Sequence, residues 1–267
     1  MKGKKRDLSR GGKPKRIRTT ASGMAKGSSV GDFKRPRTVS LVALKIVYGV
    51  FLLPVAWICT RSFFGVLTKE TVQHSFWQTE QFWFFGLGMM LWFLWFVGSI
   101  YMRGEPAPMR VYVFGHELTH AVWAWLSRGQ VTEFQVSRTG GHILTDKPTV
   151  WVTLAPYFYP VYSVMLLVGL CVVADGEWDF WTWEMVTPFQ IFLALLGASW
   201  AFHISFTVWM IGKGQSDLRM HGNFFSLVVI WIMNFVVLGL HLALALPDAG
   251  FGAIGMELLR HTEDFCD

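Results

Sequence analysis

Residues 114–123 read Phe-Gly-His-Glu-Leu-Thr-His-Ala-Val-Trp, and this stretch carries an HExxH motif inside an apolar segment. On an α-helix, positions i and i+4 differ by about 40° around the axis, so His116 and His120 project from one face and can bind one Zn²⁺ through their imidazole nitrogens. Glu117 can accept a proton from a zinc-bound water, which zinc makes acidic near neutral pH. Ionisable groups inside an apolar membrane helix are functional by default. The motif therefore predicts a metal site rather than two structural histidines.

The composition around the motif is typical of a membrane protein. Of the 267 residues, 52% are hydrophobic and 16% are charged, and the mean hydropathy is +0.38. Soluble domains carry roughly 25% charged residues. This chain lacks the polar side chains that would cover a water-soluble globule, so the composition argues against a soluble enzyme.

Six apolar stretches are candidates for membrane helices, since roughly 20 residues span the hydrocarbon core of a bilayer. They are Leu41–Cys59, Phe82–Met102, Met109–Leu126, Val150–Ala174, Pro188–Ile211 and Phe224–Leu246. Between the third and the fourth stretch, apolar residues flank Gly140-Gly141, which predicts a β-hairpin at the membrane surface. The predicted fold is an all-α polytopic membrane protein of about six transmembrane or re-entrant helices, with a short β-hairpin after the HExxH helix.

The N-terminal segment carries the positive charge of the chain. Residues 1–40 hold 13 Lys and Arg against two Asp, a net charge of +11, which leaves −5 on the rest of a chain whose net charge is +6. This composition predicts a disordered basic tail that lies in the cytoplasm and contacts anionic lipid. Nucleic-acid binding is disfavoured, because Phe33 is the only aromatic residue in the tail that could stack on a base. The protein is expected in the cell (inner) membrane.

Four regions follow from these patterns. Residues 1–40 form the tail, residues 41–108 two N-terminal transmembrane helices, residues 109–246 a metalloprotease-like membrane core, and residues 247–267 a C-terminal tail.

Gly-His-Glu-Leu-Thr-His at 115–120, followed by Gly140-Gly141, resembles the site-2 protease family of intramembrane zinc metalloproteases, most closely its compact bacterial members. The resemblance covers roughly residues 109–223. It implies hydrolysis of a peptide bond in a membrane-anchored protein, with His116 and His120 as zinc ligands, Glu117 as the base, and a third ligand from a later helix.

The third ligand is where the chain departs from the family, which usually supplies it as the Asp of a Leu-Asp-Gly motif. That motif does not occur in this sequence. Asp217 is the nearest candidate for the third ligand, and His203 is the alternative. If neither residue binds metal, the chain would be a catalytically silent relative. A metal-binding membrane scaffold or transporter is the alternative function.

The side of the membrane on which the hairpin lies is left open by the sequence. If every stretch crosses, a cytoplasmic tail places the hairpin outside. The resemblance places it inside, and so do the loop charges, because Gly212–Asn223 is basic and Asp175–Thr187 is acidic. The two placements of the hairpin differ by one crossing of the membrane. Either one of the first two stretches does not span the membrane, or the third is short and re-entrant.

Overall fold

A computed structural model describes residues 15–19, 39–68, 78–137, 140–173, 187–245 and 250–266. The elements are mainly helices that surround a small antiparallel sheet. The strands are β1 (Lys15–Thr19), β2 (Val131–Val136) and β3 (Gly141–Thr145). The first five helices are α1 (Val39–Phe51), α2 (Leu53–Leu67), α3 (Glu80–Arg103), α4 (Met109–Leu126) and α5 (Val150–Leu154). The others are α6 (Val161–Val173), α7 (Pro188–Gly212), α8 (Ser216–His221), α9 (Asn223–Ala245) and α10 (Gly250–Cys266).

Four helical segments among the described residues are long and apolar enough to cross a membrane. They are Leu41–Leu67, Glu80–Arg103, Pro188–Gly212 and Asn223–His241. A fifth crossing is formed if the bent pair Val150–Tyr157 and Val161–Leu170, which meet at 81°, counts as one span. The expected six spans are therefore not confirmed, since the HExxH helix α4 is not among the candidates. Its histidines, Glu117 and Arg110 lower its hydropathy.

The two longest helices, α3 and α7, run side by side in the same direction. The side-chain amide of Gln190 donates a hydrogen bond to the carboxylate of Glu80 near the first turns of the two helices. The indole Nε1 of Trp92 donates to Ser205 Oγ at 2.9 Å further along. Close approach requires small residues, and Gly88 and Gly197 lie where a Cβ would meet the backbone of the partner helix. Both helices therefore end on the same face of the bundle.

That face also carries α8, which directly follows α7 and leads into α9, and we call it the α8 face. Lys45 of α1 donates from Nζ to the carbonyl oxygen of Met220 at 3.0 Å, so α1 begins on the α8 face. Strand β1 contacts α8 and pairs with β3. The tail strand and the hairpin therefore lie on the same face.

These contacts bear on the two topologies that the sequence leaves open. Helix α3 ends on the α8 face, and the hairpin that follows α4 lies on that face too. Helix α4 therefore begins and ends on one side of the bundle, and it is not among the helices that are long and apolar enough to span a membrane. Both of the first two apolar stretches remain candidate spans, and the first of them extends to Leu67.

Two elements lie where the sequence analysis placed none. Strand β1 forms inside the tail that was expected to be disordered, and it completes a sheet of order β1-β3-β2. Helix α10 forms inside the region expected to be a C-terminal tail. It packs on α2 through Ala253 and Val66. Both elements depend on partners far away in the chain, which a local pattern does not reveal.

Candidate metal centre

Helices α4 and α8 bring three potential metal ligands together. His116 Nε2 lies 3.4 Å from Asp217 Oδ2, and His120 Nε2 lies 3.6 Å from the same oxygen. One ligand atom from each residue falls within 4.8 Å of the other two, and all three residues are buried. The site could hold a metal ion, because ligands about 2.0–2.1 Å from a tetrahedral ion are about 3.4 Å apart.

Two buried atoms of the cluster support this interpretation. His120 Nε2 and Asp217 Oδ1 have no hydrogen-bond partner among the described residues. Burying a polar atom without a partner is unfavourable, so such atoms indicate a position for a water molecule or an ion. Two imidazoles and a carboxylate are a common ligand set for a zinc ion with an open coordination position.

The carboxylate of Asp217 is in the form that binds metal. Burial alone would raise the pKa of this carboxyl, but the adjacent imidazoles of His116 and His120 hold it well below its usual range. Metal ligands must be deprotonated, and the neighbouring imidazoles therefore keep Asp217 ready to bind a cation.

Neighbouring groups fix the orientation of the ligands. His120 Nδ1 donates to the carbonyl oxygen of Val152 at 2.6 Å, which leaves the lone pair of Nε2 directed at the cluster. Tyr112 Oη lies 3.1 Å from His116 Nδ1. Tyr157 Oη donates to Asp217 Oδ2 at 3.1 Å. Outer contacts of this kind orient metal ligands and raise their affinity.

Glu117 lies beside the cluster and under the hairpin. The residue is fully buried, and a Cβ on Gly141 would lie 2.5 Å from Glu117 Cγ. Glycine at this position therefore lets the hairpin approach the carboxylate. A cavity of about 200 Å³ connects these groups. Its lining residues are Tyr112, Val113, His116, Glu117, Gly140, Gly141, Met210 and Gln215.

His203, the alternative third ligand, does not join the cluster. It lies on α7, and its Nε2 has no hydrogen-bond partner among the described residues. It lines a second cavity, of about 310 Å³, which His116 also borders. Among the described residues, only Asp217 completes a ligand group with the two histidines.

The groups that orient the ligands are not evident from the sequence. Tyr157 and Val152 reach the cluster because the chain bends by 81° between α5 and α6. Pro156 and Pro160, on either side of the bend, are the sequence signal that a straight helix stops there. The signal indicates the bend but not which side chain it brings to Asp217.

Known proteins give no further guide to this site. Comparison of the chain with protein-family models, with curated proteins and with solved structures found no match.

Proposed function

We propose that the chain is an intramembrane zinc metalloprotease that hydrolyses a peptide bond of a membrane-anchored protein. The observation that carries the proposal is the buried group of His116, His120 and Asp217 with Glu117 beside it. Zinc at such a site supplies an acidified water molecule and polarises a substrate carbonyl. The candidate spans around the site support a substrate that is itself in the membrane.

In this proposal Glu117 moves the proton. Its carboxylate accepts a proton from the attacking water and passes it to the nitrogen of the leaving amine, as a general base and then a general acid. Burial in a small cavity excludes bulk water, which would otherwise compete for that proton. The hairpin at Gly140-Gly141 lines the cavity beside Glu117.

We place the α8 face in the cytoplasm. Strand β1, which belongs to the basic N-terminal segment, and the basic loop Gly212–Asn223 lie on this face, whereas α7, which follows the acidic stretch 175–187, begins at the opposite face. Basic residues are retained on the cytoplasmic side of membrane proteins. The tail would then contact anionic lipid, and water would reach the site from the cytoplasm.

The proposal is tested by Glu117→Gln, which keeps the size of the side chain and removes its basicity. In membranes that contain the wild-type chain, other membrane proteins should carry new N-termini near their spans. The yield of these N-termini should be roughly 10²- to 10⁴-fold lower in the variant. Peptide mapping of N-termini measures them. Zinc content should not change. Glu105→Gln is the control, because Glu105 is an exposed carboxylate.

The same N-termini at equal yield in wild type and Glu117→Gln would contradict a protease. A metal-binding scaffold or transporter predicts that outcome, because neither needs a proton acceptor beside the metal.

A further inference from the structure

Strand β1 covers one edge of β3. It pairs in antiparallel register, with Ile17 opposite Ile143 and Thr19 opposite Gly141. Strand β2 pairs with the other edge of β3. Without β1, the edge of β3 would present a row of N–H and C=O groups, and such an edge pairs readily with another extended chain.

The covered edge leads to the candidate site. Thr19, at the end of β1, is opposite Gly141, and Gly141 adjoins Glu117. Strand β1 also contacts α8, the helix that carries Asp217. A polypeptide in the place of β1 is therefore guided past Glu117 and the helix of the candidate third ligand.

A membrane-anchored substrate needs such an edge. In an α-helix the backbone carbonyls are already hydrogen-bonded within the helix. A helical substrate must unwind before a carbonyl can be attacked, and unwound backbone in an apolar surrounding is costly unless its polar groups find partners. Pairing with the edge of a strand supplies those partners.

We propose that the segment Lys15–Thr19 is a tethered competitor that occupies the strand-docking edge of β3 and must leave before a substrate strand can pair there. This inference rests on the proposed protease function. The segment belongs to the same chain as β3, so its pairing is intramolecular, and a covalent connection of this kind gives an effective concentration on the order of millimolar. Weak pairing is then enough to keep the edge covered.

The test removes the pairing without shortening the tail. Proline lacks a backbone N–H, and adjacent residues of a strand point their N–H groups to opposite sides, so Ile17→Pro with Arg18→Pro removes one that faces β3. Leu8→Pro with Arg10→Pro is the matched control, because it makes the same change of composition and charge outside the strand. Amide hydrogen exchange of residues 141–145 and the yield of Glu117-dependent N-termini are measured on the full chain.

The inference predicts faster exchange at residues 141–145 and a yield that rises by roughly two- to tenfold in the strand variant only. A synthetic peptide of residues 13–21 should slow exchange in that variant again. Unchanged exchange, or unchanged yield with faster exchange, would overturn the inference while the proposed function stands. Glu117-dependent cutting within the tail would also overturn it, because the segment would then be a substrate. If no variant shows Glu117-dependent N-termini, the proposed function fails and the inference fails with it.

Discussion

Tyr157 donates its hydroxyl to Asp217 Oδ2, the oxygen that lies closest to both histidines. The hydrogen bond holds the carboxylate in the orientation that a shared metal ion requires. Removing it should allow the carboxylate to turn and should weaken the site without emptying it, since outer partners of metal ligands contribute roughly 10- to 100-fold to affinity.

Tyr157→Phe is accordingly expected to lower zinc affinity about 10-fold. Competition between the purified protein and a chelator of known affinity measures the change. Tyr159→Phe is the control, because the Tyr159 hydroxyl makes no hydrogen bond among the described residues. Equal affinities for the two variants would show that the bond to Asp217 does not position the ligand.

At this scale the sequence predicts most of the candidate cluster. The i, i+4 spacing places His116 and His120 on one face of a helix, and this follows from helix geometry alone. Asp217 could be named only as the nearest carboxylate, because its approach depends on how α8 folds back against α4. The contact of Tyr157 with Asp217 could not be predicted for the same reason, since it depends on packing between distant segments.

Among the elements, the contact between α3 and α7 positions the site, since α7 leads directly to α8 and Asp217. The contact is close because Gly88 and Gly197 each face the partner's backbone. A larger residue at Gly88 would force the helices apart and move the end of α7 that leads to α8 and Asp217.

We expect Gly88→Val to destabilise the protein by about 1–3 kcal/mol, the usual cost of overpacking a tight contact. A lower midpoint of thermal unfolding and a lower zinc affinity should appear together. Gly86→Val serves as the control, because a Cβ at Gly86 meets nothing within 4 Å. Equal unfolding temperatures for the two variants would contradict a role of Gly88 in the close contact between α3 and α7.

The apolar stretches predict the long helices because hydropathy is a local property. Elements whose formation depends on a partner are harder to predict. In α10, Ala253, Glu257 and His261 recur at four-residue spacing, which is a helical signal. The charges of Glu257, Arg260, Glu263 and Asp264 lower the hydropathy of α10, and its packing on α2 depends on the folded bundle. Strand β1 has no local signal of comparable strength, because its pairing partner lies more than a hundred residues away.

For the whole molecule, we predict that α4 does not cross the membrane, since it is not among the helices long and apolar enough to span. Strand β1, the hairpin and α8 then share one face, and the chain would cross between the two faces up to five times. This arrangement places the basic tail and the basic loop Gly212–Asn223 on one side, whereas a six-span topology would place them on opposite sides of the membrane.

Side-specific labelling of single cysteines tests this topology, with Cys59, Cys171 and Cys266 replaced by serine. Cysteines introduced as Ser9→Cys and Ser137→Cys should react with an impermeant thiol reagent from the same side of sealed vesicles. Gly176→Cys should react from the other side, because α7 begins on the face opposite α8. Reaction of the tail and hairpin positions from opposite sides would show that α4 spans the membrane.

The most direct test of the account is the zinc content of the purified full chain, measured by mass spectrometry after passage over a chelating resin. We predict about one zinc per chain in the wild type and in His203→Ala, and loss of the metal in Asp217→Ala, because Asp217 completes the ligand set with His116 and His120. A wild type without zinc, or an Asp217→Ala variant that keeps it while His203→Ala loses it, would contradict the account.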